Sequence, residues 1–488
     1  MNRLAQELTS RHHTVLILAM DGAAGWFEGT GIPVQEYALP TDRPVPREIP
    51  AGALAWVKSD AGACDALIDN YIVMGRLQAF QADLMLGYTY VLCTRVLAAK
   101  LDIALIDYSP LAPLDPLHTS IYSMSNRRTF LPNPLSYVPQ ACTGNTSQRM
   151  AYLQRLTNVD YFVMTHFDDF TLVRPGQTSF YKKHGVNLAA PQEARRLIMH
   201  IFSADFALEW VRPLPPNVKF VGPILPQPAQ ALPDKLEAFL EEAGDQGVLY
   251  VAMGTVDILS LEQRKAMAAA FVVLPVKVLW RLSQSEVPDE PATAELKHGN
   301  NTKVGCWMPQ NDVLGHPRVK AFLSHCGTNS MYEAAYHGVP IVGLPFSGDQ
   351  PDNAAKVVAK GMGVGILQKD IATQAFEEAL RKVVTEPRYT AAARKVSQKL
   401  RARKRTPVEE AADWVEHVLE TDIDPYLRTP EEELSFVVRH NLDVIASVAI
   451  LYLASCKLCE MVTTKIGLAI RAWLKRGQKG LKQGQKGL

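Results

Sequence analysis

Apolar and polar residues follow one another along this chain in a pattern that predicts alternating strands and helices. The clearest case is a pair of apolar runs at residues 319–324 and 339–344, which have the length and composition of buried strands. Between them, residues 327–329 carry Gly and Asn, which suit a helix N-terminus. Strand, glycine-containing turn, helix and strand form a βαβ unit with a right-handed connection.

The same alternation continues on both sides of this unit. Further buried strands are predicted at residues 101–107, 248–255, 276–282 and 363–367. Helices are predicted at residues 261–270, 354–360 and 407–419. Strands that alternate with helices favour parallel, doubly wound sheets. The predicted fold class is therefore α/β with two Rossmann-like domains.

The beginning of the chain departs from the order expected of such a domain. Residues 1–12 read as an amphipathic helix with Leu4, Ala5 and Leu8 facing inward, and residues 13–20 read as a strand. A doubly wound domain should begin with a strand before its first helix. That first strand is missing here, which leaves a sheet edge exposed and predicts a poorly stable first domain.

Composition changes the picture at the far end of the chain. Residues 444–456 carry no charge, and an extension to residue 464 includes only Lys457 and Glu460, so the segment reaches the ~20 residues that span a bilayer. A buried or interfacial helix is the alternative. Lysines and arginines follow, which indicates a cytosolic tail, and the repeated Gly-Gln-Lys-Gly-Leu at the end favours disorder.

These signals divide the chain at a proline-rich stretch, residues 226–233, and again before the apolar segment. The predicted parts are a first domain at 1–235, a second at 236–420, a connecting helix at 421–440, a membrane helix at 441–466 and a basic tail at 467–488. The formal net charge is +1, so there is no global case for nucleic-acid binding. Cys456 and Cys459 form a lone CxxC inside the apolar segment, which does not indicate a zinc site.

The candidate chemistry lies at the turn of the βαβ unit. A helix N-terminus offers unpaired N–H groups and partial positive charge, which suit a phosphate. His325 ends the first strand, Gly327 lets a ligand approach the backbone, and Asn329 and Ser330 add donors. Glu333 shares a helical face with Asn329 and is expected to accept from ribose hydroxyls.

Two more residues follow the second strand of the unit. Asp349 and Gln350 come after residues 339–344, and ligands of open α/β sheets lie beyond the carboxyl ends of strands. We therefore expect both to reach the same ligand. Arg281, at the end of another predicted strand, is a further candidate partner for an anion, although most arginines are simply solvated.

As an ordered set, these residues resemble the signature of the UDP-glycosyltransferase family, which includes the animal UDP-glucuronosyltransferases. The matching positions are Trp307, Gln310, the triplet at 325–327, Glu333, the Gly338-Val-Pro turn and Asp349-Gln350. The resemblance implies that the tryptophan stacks on uracil and that the glutamine and glutamate hold the nucleoside. It also implies that the histidine turn holds the diphosphate, that Asp-Gln holds the donor sugar, and that Thr255 faces the donor phosphates.

The resemblance further implies the GT-B glycosyltransferase fold, a UDP-sugar donor, no metal and no other cofactor. The implied reaction is an inverting transfer of glucuronic acid, or of another hexose such as glucose, to a hydroxyl of a small lipophilic acceptor. It implies an endoplasmic reticulum membrane protein with lumenal catalytic domains, although no signal peptide is visible. A homo-oligomer stays open. Asn145 and Asn300 lie in N-glycosylation sequons.

Catalysis is the part of this resemblance that the residues support least. Asp107 ends a predicted strand and matches the family aspartate that orients a catalytic histidine, but no residue matches the histidine itself. His12 and His13 match a later helix-to-strand join, and His118 is expected far from the base. A donor-binding chain with impaired turnover is therefore the alternative. A soluble UDP-sugar epimerase is a third possibility, against which the Trp307 motif and the apolar segment argue.

Overall fold

The computed structural model describes residues 1–37, 53–88, 91–110, 149, 151–157, 174–187, 190, 193, 196–212, 214–254, 259–282, 299–424, 426–427, 435–439 and 441–484. Thr255, His118 and Asn145 lie outside the described residues. The chain divides into two compact units, Met1–Arg428 and Thr429–Leu488. The first unit holds the sheets, and we call its two parts the N lobe and the C lobe after the sheets they are built on.

The C lobe is built on one parallel sheet with the strand order β12-β11-β10-β7-β8-β9. Its strands are β7 (Val248–Ala252), β8 (Lys277–Arg281), β9 (Thr302–Gly305), β10 (Val319–Ser324), β11 (Ile341–Gly343) and β12 (Gly363–Gly365). Its helices are α6 (Asp234–Glu242), α7 (Leu261–Val272), α8 (Gln310–Gly315), α9 (Thr328–His337), α10 (Gln350–Ala359), α11 (Gln374–Thr385) and α12 (Pro387–Arg401). Apolar cores cover both faces, which confirms the predicted doubly wound sheet.

The N lobe contains two separate parallel sheets among its described residues, a pair β1-β2 and a four-stranded sheet β3-β4-β5-β6. The strands are β1 (Ile17–Met20), β2 (Val34–Tyr37), β3 (Leu84–Tyr88), β4 (Ala104–Ser109), β5 (Leu197–Phe202) and β6 (Val218–Phe220). The helices are α1 (Asn2–Ser10), α2 (Ala53–Asp69), α3 (Tyr71–Phe80), α4 (Cys93–Leu101) and α5 (Arg174–Lys183). A disulfide between Cys64 and Cys93 joins α2 to α4.

The first helix agrees with its predicted pattern, because Leu4, Ala5 and Leu8 are buried. The strand after it is shorter than predicted. His12 adopts a left-handed φ of 73° in the turn after α1, and pairing begins only at Ile17. The described chain thus opens on a helix and a short strand.

Helix α13 (Pro407–Glu420) crosses back onto the N lobe. Its buried face, which includes Val415 and Val418, packs with Leu4 and Leu8 of α1 in one core. Arg11 fastens the two helices, because its guanidinium contacts the carboxylates of Asp413 at 2.8 Å and Glu416 at 2.6 Å. Helix α13, although it follows the C lobe in the chain, therefore packs on the N lobe.

The second unit is described by itself. It contains α14 (Phe436–Arg439) and one long helix, α15 (Leu442–Gly484). Within the described residues, Leu442–Ala472 is one helix long and apolar enough to cross a membrane. The prediction of a disordered tail is wrong as far as Gly484, because the helix continues through the basic segment. Lys, Gln, Arg and Leu are good helix formers and extend a helix that is already nucleated.

Candidate active site

The turn between β10 and α9 has the backbone shape that a close ligand requires. Cys326 adopts φ 63°, in the left-handed region that residues other than glycine seldom occupy. Two hydrogen bonds hold it there: Cys326 N–H donates to Ser324 Oγ at 3.1 Å, and Asn353 Nδ2 donates to the Cys326 carbonyl at 2.9 Å. Gly327 then caps α9, so the first amides of the helix point out of this turn.

The His325 imidazole lies between two glycines, Gly254 after β7 and Gly327 before α9. A Cβ atom at either position would clash with the ring. Arg281, at the end of β8, donates to the Gly254 carbonyl at 3.4 Å. The glycines therefore allow the ring to lie flat against the carboxyl ends of the central strands, where ligands of such sheets bind.

The Asp349 carboxylate lies at the N-terminus of α9. Its carboxylate accepts from Thr328 N–H at 3.2 Å, from Thr328 Oγ1 at 2.6 Å and from Asn353 Nδ2 at 2.6 Å. A carboxylate at a helix N-terminus is stabilised by the helix dipole. With these donors fixing its orientation, the carboxylate is held in place to accept from a ligand hydroxyl.

Gln350 begins α10 beside Asp349 and is largely buried. Its Oε1 accepts from Phe346 N–H at 2.7 Å and from Ser347 N–H at 3.3 Å. These contacts fix the orientation of the amide, so its nitrogen is the donor end. The pair at 349–350 thus combines a fixed acceptor with a fixed donor, a combination that suits hydroxyl groups.

A second polar group joins α8 to α9. Gln310 Nε2 donates to Ser330 Oγ at 3.0 Å and to Glu333 Oε2 at 2.5 Å. Burial raises the pKa of Glu333 to about 7, against the opposing effects of the Gln310 hydrogen bond and the Arg281 charge. Asn329, four residues before Glu333 on α9, is exposed, whereas Ser330 and Glu333 are buried next to α8.

Trp307 stands at the rim of the same region and keeps 74% of its surface exposed. It lies between β9 and α8, next to the buried Met308 and two residues before Pro309, the residue before α8. An indole with most of its surface exposed leaves room for a flat ring to stack on it. The indole is therefore available for stacking with a ring.

Asp107 differs from its predicted position. Strand β4 continues to Ser109, so the carboxylate lies inside the sheet and is 3% exposed, not at the strand end. Its neighbours are Arg95 Nη2 at 3.9 Å and His200 Nδ1 at 3.6 Å, the latter on the adjacent β5 in register with it. Burial raises the pKa of Asp107 to about 6, and Arg95 opposes the shift.

A cluster of Glu237, Glu241 and His316 brings possible metal ligands within 4.8 Å of one another. His316 Nδ1 accepts from Arg318 N–H at 3.2 Å, which puts the proton of the neutral ring on Nε2. That atom faces both carboxylates at 3.4 Å. Because a metal would need the Nε2 lone pair, the arrangement fits hydrogen bonds from the imidazole N–H to the carboxylates, which fasten α6 to the end of α8.

The described candidate residues of the C lobe lie at the end of the six-stranded sheet where its strands have their carboxyl ends. Sequence reasoning missed Thr328 and Asn353, which orient Asp349, and His200, which neighbours Asp107. The spacing of Asp349 and Asn353 by four residues on one helix was a usable signal. The other contacts join residues far apart in the chain and leave no local pattern. The predicted Thr255 lies outside the described residues.

Two solved structures that resemble this chain show which fold it has. CalG4, the calicheamicin glycosyltransferase, matches with a TM-score of 0.58 and 20% identity, over 86% of this chain and 94% of that chain. Os79 from O. sativa in complex with UDP matches with a TM-score of 0.59 and 16% identity, over 85% and 96%. The fold is therefore the GT-B glycosyltransferase fold, as predicted.

Sequence comparison then gives the family. The UDP-glucoronosyl and UDP-glucosyl transferase family matches residues 53–475. UDP-glucuronosyltransferase 2A2 of Mus musculus is 32% identical over 83% of this chain and 74% of its own length. A human relative, 2-hydroxyacylsphingosine 1-beta-galactosyltransferase, is 32% identical over 83% and 72%. The chain belongs to this family of glycosyltransferase enzymes, whose donor substrate is a UDP-sugar and which need no cofactor.

Proposed function

We propose that this chain transfers a hexose from a UDP-sugar to a hydroxyl group of a small lipophilic acceptor, with inversion at the anomeric carbon. Glucuronic acid is the preferred donor sugar, because most of the relatives at 30–33% identity are named UDP-glucuronosyltransferases. The galactosyltransferase relative keeps another hexose open. A domain boundary near residue 235 would separate the acceptor side from the donor side.

The observation that carries the proposal is the group of polar residues at the carboxyl ends of the C-lobe strands. In the proposed complex, uracil stacks on Trp307, and Gln310 and Glu333 hold the nucleoside, with the Glu333 carboxylate accepting from the ribose hydroxyls. The diphosphate lies at the His325 turn, against the amides of Asn329 and Ser330. Asp349 and Gln350 hold the hexose hydroxyls. As UDP leaves, the helix dipole of α9 stabilises the growing negative charge.

Titration calorimetry of the full chain with UDP tests this assignment. The double variant Trp307→Ala, His325→Ala should weaken UDP binding by roughly 10- to 100-fold, because a base stacked on an aromatic ring is worth about 1–3 kcal/mol. Trp26→Ala is the matched control, since Trp26 is 77% exposed and lies in the N lobe. Equal UDP affinity in the double variant and the wild type would contradict the proposal.

A second candidate is a chain that binds the donor but turns it over slowly. The burial of Asp107 and His200 favours it, because the aspartate is expected to orient a histidine that meets the acceptor, and the histidine 3.6 Å from Asp107 is only 2% exposed. General-base catalysis contributes roughly 10²- to 10⁴-fold. Transfer from labelled UDP-glucuronic acid and UDP-glucose to a panel of phenols separates the two candidates. Rates as high as those of active relatives would exclude the second.

We also propose a single-pass membrane protein with lumenal lobes, a cytosolic basic segment and an endoplasmic reticulum location. The apolar helix Leu442–Ala472 supports the span, and the Cys64–Cys93 disulfide supports an oxidising compartment. Asn300 is exposed and lies in a sequon, so a lumenal lobe should be glycosylated there. Carbonate extraction should leave the chain in the membrane. Release by carbonate, or no glycosidase-sensitive shift that Asn300→Gln removes, would contradict this topology.

A further inference from the structure

The segment that joins the two lobes runs from the end of β6 to the start of α6, and we call residues 221–233 the linker. It forms no helix or strand, and its path is set by side chains from elsewhere in the chain. At the N-lobe end, Arg3 Nη1 of α1 donates to the carbonyls of Ile224, Leu225 and Pro226, the last two at 3.3 Å. The linker therefore leaves the N lobe in a fixed direction.

Two side chains of α8 hold the middle of the linker. Gln227 N–H donates to Asn311 Oδ1 at 3.2 Å, and Gln230 N–H donates to Asp312 Oδ1 at 3.1 Å. Asn311 Nδ2 donates to the same Asp312 oxygen at 3.0 Å, so the two acceptors are bonded to each other. Both residues follow Gln310 directly in the chain. The helix that contributes Gln310 to the candidate site therefore also binds the linker.

The last residue of α9 completes this group. His337 Nε2 lies 3.1 Å from Asn311 Oδ1. Because that oxygen already accepts the backbone N–H of Gln227, it is the carbonyl end of the amide, and the ring nitrogen must be the donor. Burial, reinforced by the charge of Arg401, lowers the pKa of His337 to about 4. The ring is therefore neutral near pH 7 and uses its single N–H to hold Asn311.

Helix α8 depends on such contacts for its position. A Cβ atom at Gly315, the last residue of α8, would clash with Ala229 of the linker and with the His337 ring. With only six residues, the helix gains little stability from its own hydrogen bonds. Gln310 ties α8 to α9 through groups that a bound nucleoside would also use. Asn311 uses none of these groups, so its contacts hold α8 in place when the ligand binds or leaves.

We propose that Asn311 is a positioning residue for nucleotide binding, which holds α8 so that Gln310 meets the nucleoside and which couples the nucleotide site to the linker. Bound UDP fixes α8 and thereby strengthens the hydrogen bonds from Gln227 and Gln230. By reciprocity, a fixed linker favours UDP binding. The inference rests on the proposed function, because it takes UDP as the ligand beside α8. It goes further by assigning a nucleotide-dependent change to the segment that joins the lobes.

Hydrogen exchange of the full chain, measured in peptides that cover the linker, tests this coupling. In the wild type, saturating UDP should slow exchange at the amides of Gln227 and Gln230. Asn311→Ala removes the acceptor of Gln227 and should abolish this UDP-dependent change, while saturating UDP still protects the amides of residues 327–330. In calorimetry, the same variant should bind UDP about two- to tenfold more weakly, the value of one hydrogen bond.

Two further variants separate positioning from a general loss of structure. The exchanged pair Asn311→Asp, Asp312→Asn keeps an acceptor oxygen at each position. It should therefore retain UDP affinity within twofold of the wild type, together with the protection of the linker. Gln374→Ala is the matched control, because Gln374 is exposed on α11 and its amide donates to the exposed Glu378 at 3.2 Å. It should change neither measurement.

The outcomes distinguish this inference from the proposed function. Protection of residues 327–330 by UDP with no change at Gln227 and Gln230 would overturn the coupling alone. Linker protection that persists in Asn311→Ala would overturn the role of Asn311. A wild-type chain that binds no UDP would overturn the proposed function and the inference together. Thermal melts check that each variant is folded; if Asn311→Ala is not, the exchanged pair decides, and a loss of its affinity beyond twofold would overturn the inference.

Discussion

Both lobes are built on parallel β-strands, but among the described residues only the C lobe has a single continuous sheet. In the C lobe, β7 and β10 lie in the middle of a continuous six-stranded sheet, and every residue of β7 is buried. In the N lobe the described strands form separate sheets, and β2 has no fully buried residue. The lobe with the continuous sheet carries the convergent polar residues. From this comparison we expect nucleotide binding to depend mainly on the C lobe and transfer to depend on both lobes.

The difference in sheet continuity has an energetic consequence. Strands β1 and β3 each have one edge without a strand partner among the described residues. Met20 and Tyr88, at the ends of these strands, are both more than a third exposed. Unpaired backbone groups exchange readily with solvent, and open edges favour aggregation. We therefore expect the N lobe to unfold at a lower free energy than the C lobe.

The largest expected effect comes from a buried charge that holds the C lobe together. Lys356 on α10 is 2% exposed and contacts Glu209 at 2.8 Å and Asp352 at 2.6 Å. Lys356→Met leaves two buried carboxylates without a cation and should cost roughly 3–5 kcal/mol of unfolding free energy. Chemical denaturation measures it.

The matched control for this change is Lys382→Met, because Lys382 is exposed and its pair with Glu378 is 4.0 Å long. It should cost less than about 1 kcal/mol. Equal small losses in both variants would show that the buried cluster does not stabilise the C lobe.

Features formed by residues close together in the sequence were predicted better than contacts between residues far apart in it. The βαβ unit was predicted correctly, with β10 matching residue for residue, because its apolar residues are buried; β11 is shorter than the predicted 339–344. Thr328 and Asn353 were missed because they reach Asp349 through the fold. The neighbouring positions of Asp107 and His200 depend on the register between β4 and β5, which no local pattern encodes. The length of α15 was misjudged because the low complexity of the repeated Gly-Gln-Lys-Gly-Leu was taken to indicate disorder.

A smaller effect concerns the pH dependence of the C lobe. The pKa of Glu333 is about 7 in the folded chain, above its ordinary value of 4.5, because the side chain is buried. Because the pKa is higher in the folded chain than in the unfolded chain, protonation of Glu333 stabilises the fold. This contribution to the unfolding free energy is complete below about pH 4.5 and is lost as the pH rises through about 7. The loss is on the order of 2–3 kcal/mol.

Glu333→Gln should remove this dependence, so that its unfolding free energy changes less between pH 5 and pH 8 than that of the wild type. Glu420→Gln, at an exposed position on α13, is the control and should keep the wild-type slope. Identical pH slopes in all three chains would contradict the assignment of the raised pKa to Glu333.

The smallest expected effect concerns the N-termini of two helices, one in the C lobe and one that packs on the N lobe. Ser260 and Gln263 form a capping box at α7 of the C lobe, and Thr406 and Glu409 form one at α13, which packs on the N lobe. Ser260→Ala and Thr406→Ala should each cost about 1 kcal/mol. If the N lobe unfolds first, only Thr406→Ala should lower the first transition of a thermal melt. A lowered first transition in Ser260→Ala would mean that the lobes unfold together.

The most direct test of the central claim is hydrogen exchange of the full chain with and without UDP. The account predicts that UDP slows exchange at the amides of residues 327–330 and at Gln310, where α9 and α8 begin. It also predicts no change in β1 and β2, whose amides should exchange fast in both states. Protection centred on the N-lobe strands, with none at the β10–α9 turn, would contradict the claim that the C lobe alone holds the nucleotide.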